Sequence, residues 1–473
     1  MNLSLAVPKG RLLGQTAAIL SGAGLAMDNY NENSRLYRLK SGKYPDMRAK
    51  IFQEKDIPIQ VAIGNYDMGI CGSEWIEEQM VKYPSSALVS FKNLGYGAGA
   101  IYAAVSDGAL HNNTIDVRGP SVRIVSEYPN LAEALAQKLR LKRYRVFPLW
   151  GGAEGYPPEN AEISILFSNN EADLSSKGLV SIGKIVDSTA VLIVNRTSLE
   201  NKDLSPLLEA ITFRTSAVVP AGFMADFNNI VPLTASYIAE GDIDISTVKL
   251  ALPDGHQQAH VRKILDAAGI NMSDYPATDG NRRPFTTMEG FQVKTIRPQD
   301  MPLQVANGNF DIAITGRDWL TDHLYQFPGS PVTDMLDLKY GWVRIVSVVS
   351  NDVPVHNSTE LQSYCQSGGR SYRIASEYVN IADSYARNNH LGKYRVIPTW
   401  GATEAFIPED ADILIENTET GSTLAKNNLR IIDTLFESTA CVIGRKDGGS
   451  NSIKQRRIME FLGAMENGVK ALA

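Results

Sequence analysis

The segment Glu416-Asn417-Thr418-Glu419-Thr420-Gly421-Ser422-Thr423-Leu424 carries the sharpest chemical signal in the chain. It follows a run, Ala411-Asp412-Ile413-Leu414-Ile415, that reads as a strand, and it leads into a predicted helix. A strand, a Gly/Ser/Thr loop and a helix N-terminus make a phosphate cradle, because free backbone N–H groups and the helix dipole attract an anion. Gly421 lets the backbone approach, and Ser422 and Thr423 add hydroxyl donors. Glu416 and Glu419 do not suit phosphate alone. They suit a ligand that carries a sugar 2′,3′-diol beside its phosphate, since carboxylates accept from hydroxyls. Phosphate with ribose implies a phosphoribosyl group. A plain capped helix, with Thr or Ser as N-cap, would account for the same residues.

The elements that position this loop occur twice. Val122-Arg-Ile-Val-Ser-Glu-Tyr-Pro-Asn130 returns 250 residues later as Tyr372-Arg-Ile-Ala-Ser-Glu-Tyr-Val-Asn380. The register holds through Trp150, Gly151 and Glu154, matched by Trp400, Gly401 and Glu404. Gly64-Asn-Tyr-Asp-Met-Gly-Ile-Cys-Gly72 likewise matches Gly308-Asn-Phe-Asp-Ile-Ala-Ile-Thr-Gly316. A period this long means duplicated domains rather than a solenoid. We read residues 1–214 as a first unit, 215–245 as a linker punctuated by Pro220, Gly222, Pro232 and Gly241, and 246–473 as a second unit. Strand signals (Leu3–Val7, Val122–Val125, Tyr144–Phe147, Ile163–Phe167, Ala190–Val194) alternate with helix signals (Leu12–Ser21, Ala132–Leu139), with a last helix over Lys454–Val469. That alternation predicts α/β layers.

The two copies have diverged in opposite directions. Where the second has Gly421 and Thr423, the first has Glu171 and Asp173, two carboxylates that would repel a phosphate. Where the first has Pro8-Lys9-Gly10-Arg11, the second has Pro253-Asp254-Gly255-His256. Lys9 and Arg11 are cations at a helix N-terminus, which is unfavourable unless a polyanion binds there. Arg297 again favours the second copy, since Gln53 stands in its place in the first. Arg35, Arg282 and Arg283 could assist at such a site, but read first as surface charges.

Composition narrows the class. The chain has 473 residues, 44% hydrophobic and 21% charged, with a formal net charge of −6. This is globular composition, without the basic footprint of a nucleic-acid binder. Three cysteines (Cys71, Cys365, Cys441) are too few for a disulfide framework or zinc cluster. No signal peptide or membrane span is visible, so the expectation is a cytoplasmic protein with no membrane partner.

Taken together, these motifs resemble ATP phosphoribosyltransferase in its short catalytic form, the first enzyme of histidine biosynthesis. Ala6-Val-Pro-Lys-Gly-Arg-Leu12, Arg297-Pro-Gln-Asp-Met-Pro302, Arg373-Ile-Ala-Ser-Glu-Tyr378, Gly401-Ala-Thr-Glu404 and Glu419-Thr-Gly-Ser-Thr-Leu424 carry the resemblance. It implies a tandem repeat of two-lobed α/β units like type II periplasmic binding proteins. It also implies use of Mg²⁺ and phosphoribosyl pyrophosphate, with N1 of ATP as nucleophile. Under it, Thr420, Gly421, Ser422 and Thr423 hold the 5′-phosphate, and Glu416 and Glu419 hold ribose hydroxyls or Mg²⁺. Lys9, Arg11 and Arg297 neutralise pyrophosphate. The family has one unit per chain, whereas two are fused here and neither carries every motif. Complementary loss fits a pseudo-dimer within one chain, open to further homo-oligomerisation, in which Lys9 and Arg11 meet Arg297 and the loop at one composite site. Two alternatives stay open: the same reaction on another nitrogen heterocycle, and a non-catalytic nucleotide-binding relic. The chain ending at Ala473 leads us to expect no regulatory domain and no feedback by histidine through one.

Overall fold

The computed structural model describes residues 3–33, 36–45, 47–84, 87–212, 225–238, 246–276, 281–446 and 452–472. Each half folds as two α/β lobes. In the first half, lobe I is a sheet in the order Arg38–Leu39, Arg48–Phe52, Ser4–Pro8, Met68–Gly72, Ala190–Asn195, Leu88–Asn93. Lobe II follows the order Tyr144–Pro148, Val122–Ser126, Ile163–Ser168, Gly99–Ser106, Leu179–Ser188. The second half repeats both. Lobe I is Phe291–Ile296, Val248–Pro253, Ile312–Gly316, Ala440–Arg445, Val332–Asp337, and lobe II is Tyr394–Pro398, Tyr372–Ser376, Ile413–Thr418, Val343–Ser350, Leu429–Ser438. The central strands run parallel and are crossed by one antiparallel return strand. They are covered on both faces, so Ser4–Pro8 and Ala190–Asn195 read as unbroken apolar runs. The chain crosses between lobes twice in each half, which sets a cleft between them.

The halves pack crosswise. Lobe I of the first half shares a core with lobe II of the second, where Phe52 meets Phe406 edge-on at 5.2 Å. Lobe II of the first half shares a core with lobe I of the second, with Tyr156 and Leu149 beside Ile296 and Phe310. Two buried lysines fasten these contacts symmetrically. Lys50 Nζ donates to Ala405 O and to the carboxylates of Glu409 and Asp410. Its counterpart Lys294 donates to Tyr156 O, Glu159 and Asn160. A charge paired in a dry interface is costly to orphan. Lys50→Met should therefore lower stability by about 3–5 kcal/mol, read as a lower urea midpoint. Adding Asp410→Asn, which copies Asn160, should recover part of that loss.

Part of the linker is structured. Thr234–Ile238 pairs in parallel with Thr114–Arg118. Ile230 is buried in the first half's lobe II core, and Val231 N–H donates to Ile182 O at 2.7 Å. The alternating apolar residues of this stretch thus add an edge to the first half. Pro220, Gly222, Gly241 and Arg35 lie outside the described residues.

Candidate active site

The strand expected over Ala411–Ile415 runs over Ile413–Thr418 instead, so Glu416, Asn417 and Thr418 are strand residues. They are polar because this end of the strand faces the cleft between the lobes rather than the core. The chain then turns through Gly421, at φ 74°, into the short helix Ser422–Lys426. Gly421, not Thr or Ser, is the N-cap, and its left-handed backbone is one that glycine adopts without strain. The turn is tied by Gly421 N–H to Thr418 Oγ1 at 2.9 Å. Ser422 N–H donates to Thr420 Oγ1 at 3.3 Å and Ala425 N–H to Gly421 O at 3.0 Å, and the first-turn amides between them, which have no partner within a helix, can face an anion.

In the first half the same place is filled from within. Asn170 caps the helix Glu171–Ser176 by accepting from Asp173 N–H. The Asp173 carboxylate takes a hydrogen bond from Ser168 Oγ at 2.7 Å and an ion pair from Lys177 at 3.0 Å. Burial opposes its charge, but these contacts hold it below the usual carboxylate range. A protein carboxylate stands where the second half leaves room for a phosphate.

The cleft of the second half has a volume of ≈ 710 Å³ and is lined by Glu416–Thr420, Ser422, Thr423, Arg297, Glu377, Glu404 and, from the first half, Tyr37. Three carboxyls crowd its floor. Burial raises Glu377 to about 7, against the pull of Lys55 and with a push from Glu404. Burial also raises Glu404, opposed by Lys9. Glu416 is pushed well above the carboxylate range by burial and by both neighbours. Only Glu416 of this trio was singled out from sequence. Glu377 and Glu404 sit in the repeated Ser-Glu-Tyr and Trp-Gly-x-x-Glu motifs, and their repetition in both halves was the available signal. Glu419 is exposed at the loop tip.

Of the three cations expected at a shared site, only Arg297 lines the second half's cleft, while all three line a neighbouring cleft of ≈ 520 Å³. Arg297 lines both clefts, pairs with Asp254 at 3.3 Å, and leaves its buried Nε without a partner among the described residues. It passes so close to the first half that a Cβ on Gly151 would lie 2.8 Å from its Nε. Lys9 donates to Tyr37 Oη at 3.3 Å, and its charge acts on Glu377 and Glu404 across the interface. Arg11 lies in that ≈ 520 Å³ cleft, which first-half residues line together with Arg297, Gln299, Glu377 and Trp400 of the second half. There it pairs with buried Glu74 at 2.7 Å and with Glu54 at 3.1 Å, and stacks on Phe167 at 4.2 Å. Arg11 thus shares a cleft with Lys9 and Arg297, as expected, but two carboxylates of its own half pair with its guanidinium. Arg11→Met should destabilise the chain by about 1–3 kcal/mol through the orphaned Glu74 while leaving kcat within about twofold, and thermal unfolding with initial rates would check both. Arg282, read as a surface charge, is mostly buried and bridges Glu154 of the first half to Asp254 of the second.

Among the described residues, no group of three or more His, Cys, Asp or Glu is arranged to hold a metal ion, and no helix is long and apolar enough to cross a membrane.

Comparison with known proteins gives one family twice. The family model for ATP phosphoribosyltransferase matches residues 53–214 and again 297–467. An ATP phosphoribosyltransferase of Chlorobaculum parvum is 30% identical over 233 residues, 48% of this chain and 73% of that protein. One from Thermodesulfovibrio yellowstonii is 31% identical over 224 residues, 45% of this chain and 69% of that protein. Among solved structures, the ATP phosphoribosyl transferase (HisG:HisZ) complex from Thermotoga maritima matches at 22% identity and a TM-score of 0.39, over 47% of this chain and 99% of that one. The Bordetella pertussis BvgS periplasmic domain matches at 12% identity and a TM-score of 0.30, over 100% of this chain and 88% of that one.

Proposed function

The chain belongs to the ATP phosphoribosyltransferase family, whose enzymes serve histidine biosynthesis, and from that premise we propose that it joins the phosphoribosyl group of phosphoribosyl pyrophosphate to N1 of ATP in the second half's cleft, completed by Lys9 of the first half. The observation that carries this reading is the asymmetry of the clefts. The second half offers a glycine-capped loop, whereas in the first half Asp173 occupies the matching loop and Glu74 pairs with Arg11.

In the reaction the N1 lone pair forms a bond to the anomeric carbon. The bond from that carbon to pyrophosphate breaks, and pyrophosphate leaves with the electron pair. The transition state is oxocarbenium-like, so the protein's work is positioning and charge stabilisation. Thr420, Gly421, Ser422 and Thr423 hold the 5′-phosphate, fixing the sugar. Glu416 and Glu419 accept from ribose hydroxyls, and Glu377 and Glu404 add negative charge beneath the developing cation. Arg297 and Lys9 receive the departing pyrophosphate. No general base is required, because an aromatic nitrogen attacks without prior deprotonation. Mg²⁺ takes one or two carboxylates together with substrate phosphates, a donor set the site's carboxyls could supply. Glu416 and Glu419 would be the oxygen donors for it, and the chemistry it would supply is neutralisation of pyrophosphate.

The test is incubation with phosphoribosyl pyrophosphate, Mg²⁺ and ATP, followed by ultraviolet absorbance, mass analysis and a pyrophosphate assay. Phosphoribosyl-ATP with equimolar pyrophosphate is the expected result. Tight phosphoribosyl pyrophosphate binding without this product would transfer the proposal to another heterocyclic acceptor. Absence of binding would overturn the loop assignment.

A further inference from the structure

The wall of the second cleft opposite the phosphoribosyl loop contains polar atoms that the protein itself does not satisfy. Gln257 Oε1 and His260 Nδ1 are shielded from solvent and have no hydrogen-bond partner among the described residues. Both residues line the cleft, on the first turns of Gly255–Gln257 and Gln258–Ala267, with the His260 ring 4.2 Å from that of Tyr340. Arg297 Nε and Gln299 Oε1, unpartnered too, lie in the same wall. A buried polar atom left unpaired is costly, so such a group calls for a ligand partner. The first half shows the alternative. Leu12 occupies the position of Gln257, fully buried, with a Cβ on Gly97 falling 2.3 Å from its Cδ2. The second half has thus exchanged an apolar packing residue for an amide in the cleft that keeps its phosphoribosyl loop.

We propose that Gln257 is a specificity-determining residue that reads the acceptor base, pairing its side-chain amide with the N6-amino and N7 edge of adenine. This deepens the acceptor assignment above and rests on it. A carboxamide matches an edge that presents one donor beside one acceptor. Adenine has two such edges, N6/N1 and N6/N7. The N6/N1 edge is excluded because the N1 lone pair must form the new bond. A glutamine paired to N6 and N7 is a bidentate contact known to discriminate between bases, and it leaves N1 directed at the sugar.

The experiment compares ATP with 7-deaza-ATP, which keeps N1 and the amino group but replaces N7 by a C–H. Substrates are assayed with the wild type, Gln257→Leu and Gln257→Glu. The leucine copies Leu12, and the glutamate keeps the shape while removing the donor. Wild type should prefer ATP in kcat/KM by about tenfold or more. Both variants should lose that preference while the KM for phosphoribosyl pyrophosphate stays unchanged. Retention of the preference in either folded variant overturns the proposal. Equilibrium binding of ATP and 7-deaza-ATP without phosphoribosyl pyrophosphate separates the two levels. Loss of discrimination in binding supports Gln257 pairing even if no phosphoribosyl-ATP forms, in which case the acceptor reaction alone is refuted. Equal binding of both nucleotides by the wild type overturns the pairing itself.

Discussion

Thr423→Asp should abolish turnover, with phosphoribosyl pyrophosphate affinity falling by about a thousandfold. The substitution writes the first half's residue, Asp173, into the working loop. A unit charge about 4 Å from a phosphate at a partly solvated site costs about 4 kcal/mol per opposing charge, or about three decades in binding. The carboxylate would also occupy the space the phosphate needs, as the Asp173 carboxylate occupies its own loop by accepting from Ser168 Oγ and Lys177 Nζ. The fold should survive, because an acidic residue in the first turn of a helix is favourable. Unfolding temperature should stay level, and Thr423→Ser should keep most of the activity. Titration calorimetry with phosphoribosyl pyrophosphate reads the effect directly, and unaltered affinity would remove the loop from the site. The aspartate would be more disruptive here than in the first half, since Lys177, which partners Asp173, is Asn427 in the second copy.

Much of this architecture was legible because the strands are covered on both faces. Ala190–Val194 and Ile163–Phe167 were read within one residue of their observed ends, Asn195 and Ser168, since buried parallel and return strands leave continuous apolar runs. The strand before the loop was read short because Glu416, Asn417 and Thr418 look like loop residues. Their polarity serves the cleft, and no local pattern distinguishes that from exposure to bulk water. The grouping of Glu377 and Glu404 with Glu416 was hidden for another reason. Glu377, Glu404 and Glu416 come from three separate segments, and only the crossing of the lobe II strands assembles them. Arg282 was misjudged on the same ground: its partner Glu154 lies 128 residues away and in the other half. The divergence of the loops, by contrast, was readable without coordinates, because replacing Gly421 and Thr423 by two carboxylates has one electrostatic consequence wherever the loop lies.

The crosswise packing gives the fusion a physical logic. Each lobe II is flanked by the lobe I of its own half and by that of the other. Gly401 shows how tight the contact is: a Cβ there would lie 2.9 Å from the Gln53 side chain of the first half. In such an arrangement a site on the second half's lobe II can draw a cation from the first half. Once the halves share a chain, the first cleft is free to degrade. Arg11, Glu74, Glu54 and Phe167 now serve as its packing.

Lys9→Met tests that dependence and should lower kcat/KM by about a hundredfold, the scale expected for removing one preorganised charge from a transition state. A second effect separates catalysis from simple structural damage. Glu377 is held near 7 by burial, with Lys55 pulling it down, Glu404 and Asp318 pushing it up, and Lys9 pulling down in turn. Lys9 also opposes the rise of Glu404. If these carboxylates work ionised, activity falls as pH drops through about 7. Without Lys9 both groups rise further, so the acid limb of the pH–rate profile should move to higher pH and part of the lost rate should return near pH 9. Lys9→Arg keeps the charge and should keep the limb in place. Among the described residues the side-chain hydrogen bond of Lys9 goes to Tyr37, also of the first half, so a merely structural loss would lower the rate equally at every pH. A profile that falls without moving would confine the chemistry to the second half and leave the first half as a scaffold.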